Sequence, residues 1–433
     1  MPEQVQPAQV QPDWLQEGSK HLWLPYAQMR TAPTPLPVLR AEGARLYLAD
    51  GSSLVDGIAS WWTQAHGYNH PHIRDSVSAQ LGKLAHVMLG GLANEPAMTL
   101  ATRLAKLAPG DLDHVFFCES GSVSVEVAMK MAIQYWINRG TRGRTRFVSF
   151  RHGYHGDTMA CMSICDPDEG MHGHFKGYLP EQIVVPLPRD AAGEAAFNDM
   201  LDRRGGEIAG IIVEPLVQGA GGMKFHDPSV LRFLRQAADA RGQLLILDEI
   251  MTGFGRLGTM FASEQAGIVP DIMTLSKALS GGTLPLSATI ARRHVFEAFL
   301  SDRAETALMH GPTYMGNPLA CAAANASLDL FEREPRLAQV AAIERQLRTD
   351  LEPCRALKGV VDVRVKGAIG VVELDRAGEG TWLRPHFLKR GVWIRPFGNI
   401  VYLAPPFVID ELDLRQLTSA VTEVTALWSR ERA

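Results

Sequence analysis

Between about residue 100 and residue 295 the chain alternates stretches of helical periodicity with seven short apolar runs. These are His114–Phe117, Phe147–Phe150, Ile183–Val185, Gly210–Val213, Leu244–Leu247, Ile272–Leu275 and Leu286–Ile290. Runs of this kind lack a polar face, so as strands they need cover on both sides, and the helical stretches between them supply it. The pattern predicts an α/β fold whose large domain holds a seven-stranded, mostly parallel sheet. Ligands of open parallel sheets bind at the carboxyl edge of the strands, so residues that follow these runs are the ones to weigh for chemistry.

The ends of the chain read differently. Val360–Val365 and Ile369–Leu374 alternate in the manner of strands and lead into a helix-like stretch. Val392–Arg395 and Ile400–Leu403 follow at hairpin spacing before a final helix. That is an α+β pattern, and Ala44–Leu48, ahead of the Asp50-Gly51 turn, extends it to the N-terminal side. The expected division is a flexible tail over 1–18, a small domain built from 19–60 and 331–433, and a large domain over 61–330.

Composition removes several classes. Lys and Arg number 43 against 47 Asp and Glu, a net charge of −4, so no basic field points to nucleic acid or to an anionic membrane. No run reaches the roughly 18 apolar residues of a membrane helix. The opening MPEQVQPAQVQPDW has neither a charged head nor an apolar run, so neither a signal peptide nor an anchor is expected. The five cysteines are scattered and form no C-x-x-C pair, which fits a reducing cytoplasm.

The strongest chemical signal is a pair. The run LLILD ends in Asp248, and the run IMTL leads to Lys277. Adjacent parallel strands would bring both side chains to one edge of the sheet. Pyridoxal phosphate needs a lysine that can hold it as a Schiff base and a carboxylate that keeps its ring nitrogen protonated. A buried ion pair with a separate surface lysine fits the same residues. Between them, Gly253-Phe254-Gly255-Arg256-Leu257-Gly258 spells the dinucleotide fingerprint. Asp248 and Glu249 would repel a pyrophosphate there, and no helix start follows the glycines to attract one.

A better anion site is Ser120-Gly121-Ser122, between the run HVFF and an apolar helix. Gly121 lets the backbone close on a phosphate, and the helix start offers free N–H groups. An ordinary serine N-cap has the same look. Tyr154, in Arg151-His152-Gly153-Tyr154-His155-Gly156-Asp157, could cover a flat cofactor or pack as a loop tyrosine. The pairs His152/His155, His70/His72 and His172/His174 have metal-like spacing without companion ligands, so they read as structural or solvated, and no metal is expected.

Together the Asp248 and Lys277 pair, the Ser120-Gly121-Ser122 turn, Gly156 and the strand order resemble the class III aminotransferases of the fold-type I pyridoxal-phosphate superfamily, from about residue 20 onward. Four further runs are more specific: Ser60-Trp61-Trp62, His66-Gly67-Tyr68-Asn69-His70-Pro71, Cys165-Asp166-Pro167-Asp168 and Met309-His310-Gly311-Pro312-Thr313. They look like the branch that serves biotin biosynthesis by moving an amino group from S-adenosylmethionine to 8-amino-7-oxononanoate. The resemblance implies that Lys277 binds pyridoxal 5'-phosphate and shuttles the proton, that Asp248 holds its pyridinium, and that Gly121 and Ser122 bind its phosphate. Tyr154 would lie near the ring and touch substrate, Ile250 would pack on the other ring face, and Pro312 and Thr313 would reach the phosphate of a neighbouring subunit in a homodimer. Met251 departs from the pattern, because many members carry there a glutamine that bonds the cofactor's ring oxygen.

Substrate roles follow from the same resemblance. Trp61 and Trp62 would wall a methylene chain, where burying about 100 Å² is worth roughly 2.5 kcal/mol. Arg395 would grip a distant carboxylate with its guanidinium fork. Tyr26 and Trp61 suit a sulfonium donor, since a cation over a ring gains about 0.5–2 kcal/mol. Tyr26 keeps the family's aromatic although Leu24 replaces a histidine before it. Gly311 would sit beside the substrate, and Arg256 is a candidate for the donor's carboxylate. A lysine donor, another ω-amino substrate, or a non-enzymatic pyridoxal-phosphate-binding regulator are the alternatives. The regulator would need a DNA-binding segment, and the N-terminal tail shows no basic patch.

Overall fold

All seven apolar runs become strands of a single sheet, in the spatial order Leu112–Cys118, Ser287–Arg292, Ile272–Leu275, Leu244–Asp248, Ile208–Val213, Arg146–Phe150 and Ile183–Val185. The computed structural model describes residues 11–168, 170–175 and 177–433, so expectations for residues 1–10 lie outside the described residues. Pairing is parallel except along both sides of Ser287–Arg292, which runs against its two neighbours. Every residue of Ile208–Val213, Leu244–Asp248 and Ile272–Leu275 is buried, as strands covered on both faces must be. Helices Gly121–Asn138, Ala191–Arg204 and Pro228–Asp239 lie among the cover. Each opens on a side-chain cap, from Ser120, Asp190 and Asp227 in turn.

Two expectations about the chain ends change. Residues 13–18 form a short helix whose Leu15 is buried, so this part of the N-terminal segment is not a free tail. Val392–Trp393 and Ile400–Leu403 are not a hairpin pair. Val392–Trp393 joins the four-stranded sheet of Val38–Glu42, Arg45–Leu48 and Ser53–Asp56, pairing parallel with Ser53–Asp56. Ile400–Leu403 joins the three-stranded sheet of Val360–Lys366 and Ile369–Leu374. The reason is backbone supply: Val55 N–H and Gly57 N–H donate to Gly391 and Trp393 carbonyls at 2.9 and 3.0 Å, so the short strand is already satisfied. The intervening Arg395-Pro396 turn is left free to face a cavity, and both halves of the sequence share one sheet.

The segment after Ser53–Asp56 is the least ordinary backbone in the molecule. Ala59, Ser60, Trp61 and Trp62 all have positive φ, from 45° to 68°. A left-handed turn of side-chain-bearing residues is unfavourable by about 1–2 kcal/mol per residue. Asp56 holds it in place. Its buried carboxylate accepts Ile58 N–H at 2.8 Å, Ser60 N–H at 3.0 Å and the Tyr68 hydroxyl at 2.6 Å. Burial pushes the Asp56 carboxyl above its ordinary range, and these three donors pull it back.

Asp56→Ala leaves the Ile58 N–H unsatisfied in the core and the Ser60 and Tyr68 donors unsatisfied at its edge, and each buried unsatisfied donor costs about 1–3 kcal/mol. The expected loss is about 3 kcal/mol or more in urea unfolding. Tyr68→Phe, which removes one bond, should lose about 1 kcal/mol. Equal midpoints for the two variants would show that the carboxylate does not brace the turn.

Candidate active site

The register of the sheet decides where the chemistry sits. Asp248 is paired with Thr274 across the parallel ladder, so Lys277 emerges just beyond the adjacent strand on the same edge. Asp248 is 4% exposed and fully engaged. Its Oδ1 accepts Ile250 N–H at 3.1 Å and the Thr274 hydroxyl at 3.3 Å, and its Oδ2 lies 2.8 Å from His155 Nδ1. Lys277 has φ +42°, and its Nζ lies 5.0 Å from the centre of the Trp62 ring. Burial lowers the Lys277 ammonium pKa below its ordinary value, against the pull of Asp248, Glu214 and Asp157. An amine tuned this way is easier to free of its proton, as a Schiff-base lysine must be.

The helix start at Gly121 closes the other side. Ser120 caps it, with Val123 N–H donating to Ser120 Oγ at 3.3 Å, so the serine N-cap reading is correct for Ser120. The first turn still carries N–H groups without intrahelical acceptors. Gly121 is needed where it stands: a Cβ there would meet Ile250 at 3.1 Å. Ile250, two residues after Asp248, therefore packs close to the helix start at Gly121. Ser122 Oγ accepts Asp157 N–H at 3.1 Å, and Gly156 lies so close that a Cβ would sit 2.3 Å from that oxygen. Met251 is buried and backs onto Gly219, so its thioether is a packing group.

A cavity of about 820 Å³ opens over Lys277. Its walls include Tyr26, Trp61, Trp62, Tyr154, Arg395 and Tyr402. Tyr154 donates to Asp157 Oδ1 at 2.9 Å, Tyr26 also bonds Asp157, and the two hydroxyls are 3.4 Å apart. Burial raises both phenol pKa values, so both remain protonated donors. Tyr26 stands edge-on to Trp61 at 6.2 Å, and the Arg395 guanidinium covers the other ring environment of Trp61 at 4.7 Å. Six of the residues singled out in the sequence therefore meet at one wall or floor: Tyr26, Trp61, Trp62, Tyr154, Lys277 and Arg395.

Others lie elsewhere. Gly311, Pro312 and Thr313 are away from this cavity, with Gly311 and Thr313 exposed. Arg256 is not among the residues that line this cavity. It is 1% exposed, donates to the Pro405 carbonyl at 2.8 Å and covers the Phe407 ring at 4.5 Å, because its turn is folded into the core. The glycines around it run as turns with no helix opening on them.

Three functional side chains escaped the sequence reading. His155 is not solvated: it is 3% exposed and bonded to Asp248. Its place after the strand Arg146–Phe150, on the same edge as Asp248, was the available signal. Asp157 joins the two tyrosines. Glu214 accepts Tyr154 N–H at 3.0 Å and Gly219 N–H at 2.9 Å beneath the cavity, and burial pushes its carboxyl up to about 7.

Comparison with known proteins agrees with this geometry. The family model for class-III aminotransferases matches residues 26–425, and the chain belongs to that family. It is 46% identical to the adenosylmethionine-8-amino-7-oxononanoate aminotransferase of Mycobacterium leprae over 94% of this chain and 95% of that one. It is 42% identical to the enzyme of the same name from Corynebacterium glutamicum, over 93% and 96%. The crystal structure of the Methanocaldococcus jannaschii enzyme of that name superposes with a TM-score of 0.89 at 32% identity, covering 95% of this chain and 98% of that one. An (S)-enantioselective omega-transaminase from Thermomicrobium roseum superposes with 0.88 at 30% identity, covering 95% and 98%. The protein is a pyridoxal-phosphate-dependent aminotransferase.

The His155 contact is open to test. Removing one partner of a buried hydrogen bond leaves the other unsatisfied, at a cost of about 1–3 kcal/mol. His155→Leu should lower stability by that amount when cofactor is stripped, with part of the loss recovered on adding pyridoxal phosphate. Urea midpoints with and without cofactor check this, and no change in either would remove His155 from the site.

Proposed function

We propose that this class-III aminotransferase transfers the amino group of S-adenosylmethionine to 8-amino-7-oxononanoate, giving 7,8-diaminononanoate for biotin synthesis. The observation that carries the reading is the cavity wall: Trp61, Trp62 and Tyr402 run from Lys277 to Arg395, an apolar path that ends in a cation. That is the shape and polarity of a keto acid whose carboxylate lies several methylenes from its carbonyl. The names of the Mycobacterium leprae and Corynebacterium glutamicum relatives support it.

Pyridoxal phosphate, when bound, supplies the electron sink that makes a proton on the carbon beside the amine acidic. The chain supplies the rest. Asp248, oriented by His155 and Thr274, holds a protonated ring nitrogen. Gly121 and Ser122 would hold the cofactor's phosphate at the helix start, and Ile250 would pack beside its ring. Lys277 binds the cofactor and moves the proton at the substrate carbon. Tyr26 and Trp61 receive the donor's sulfonium, and Tyr154 contacts substrate while its hydroxyl is held by Asp157. The two substrates use the same cavity in turn, which makes the cycle ping-pong.

The reading includes a homodimer with shared sites. Gly311, Pro312 and Thr313 lie away from their own chain's cavity, and Met309 and Tyr314 beside them are 73% and 57% exposed, as a segment serving a partner would be. It also places the enzyme in the cytoplasm, consistent with five free cysteines.

A single-turnover half-reaction tests the donor. S-adenosylmethionine should bleach the yellow holoenzyme, and lysine at equal concentration should not. Bleaching by lysine alone would replace the donor, and bleaching by simple amines alone would favour the omega-transaminase chemistry of the Thermomicrobium roseum neighbour. Lys277→Ala should slow the reaction by roughly 10²–10⁴-fold or more and abolish the colour.

A further inference from the structure

The carboxyl-binding end of the cavity holds a second guanidinium that the sequence does not advertise. Arg384, on the helix Gly380–Leu388, lines the same cavity as Arg395, Lys277 and the tryptophan pair. Its Nε is shut away from solvent and has no hydrogen-bond partner among the described residues. Other polar groups of this wall have partners within the chain. Lys224 Nζ lies 2.9 Å from Glu373, Arg364 lies 2.6 Å from the same carboxylate, and the Asn399 amide donates to the Leu374 carbonyl at 2.9 Å. Arg395 is stacked over Trp61 and has no ion-pair partner among the described residues, and neither has Arg384. Burial lowers the Arg384 pKa, and the charge of Arg395 adds to the effect, so the two guanidiniums feel each other.

Two like charges at one end of a largely apolar cavity, with no carboxylate of the chain between them, are unfavourable until an anion arrives. A carboxylate has two oxygens and about four acceptor sites, enough for both forks. The turn beside Arg395 leaves room, since a Cβ on Gly398 would meet nothing within 4 Å. We infer that Arg384 and Arg395 form a two-guanidinium clamp for the terminal carboxylate of the amino acceptor, so that Arg384 determines specificity for acids over neutral ketones. The inference rests on the substrate reading above, and it names the residue that completes it.

Nonanoate and nonanamide are probes of equal chain length that need no turnover. Binding of each to the holoenzyme, followed by quenching of tryptophan fluorescence, should favour nonanoate by about tenfold or more. Arg384→Gln should erase most of that preference, and Arg384→Lys, which keeps charge without the fork, should retain part of it. In steady state Arg384→Gln should raise KM for 8-amino-7-oxononanoate by about tenfold or more, with the loss falling on KM rather than kcat. A nonanoate preference that survives in Arg384→Gln overturns the clamp. So does a wild-type enzyme without the preference, or a loss confined to kcat. If the preference and its loss both hold while 8-amino-7-oxononanoate is not turned over, the clamp stands and the substrate reading falls.

Discussion

The parallel pairing of Leu244–Asp248 with Ile272–Leu275 is the constraint on which the site depends. It brings a carboxylate and an amine to one edge of a sheet whose central strands are wholly buried. The low dielectric there makes each charge strong and each unmatched charge unfavourable. Asp248 is therefore saturated with donors, while Lys277 is pushed toward its neutral form. The two groups share an environment, and it is burial, against the pull of the neighbouring carboxylates, that lowers the Lys277 ammonium pKa.

The other wall is held by a different means. Trp61 and Trp62 are presented by a left-handed turn braced by Asp56, whose hydrogen bonds offset backbone strain. The cavity thus combines a floor fixed by sheet register with a wall fixed by a buried carboxylate. A third side is closed by Tyr26, Tyr154 and Asp157, all linked through one carboxylate.

Much of this was legible in the sequence, for physical reasons. Strands buried on both faces leave apolar runs that need no neighbour to be recognised, so Ile183–Val185 and Ile272–Leu275 fall where they were read. Residues that follow such strands are delivered to the active edge, which is why Asp248, Lys277 and Tyr154 could be singled out. Partner choice at the chain ends was not legible. Val392–Trp393 is too short to declare its neighbour, and its parallel pairing with Ser53–Asp56 depends on backbone groups far away in sequence. The burial of Arg256 and His155 was not legible either. A polar side chain in a turn looks solvated until the burial of that turn is known, and both of these side chains are packed inside.

The reversed strand Ser287–Arg292 lends the site its beginning, whereas its parallel companions lend their ends. Ser287 Oγ donates to the Ser120 carbonyl at 2.7 Å, so the chain leaves Lys277 and returns within one short connection to brace the Ser120-Gly121-Ser122 turn. The strand that follows Lys277 therefore touches the Ser120-Gly121-Ser122 turn directly, although the two segments are far apart in sequence. The connection that carries Lys277 is thus tied at its far end to the helix start at Gly121, a contact that the parallel strands alone do not make.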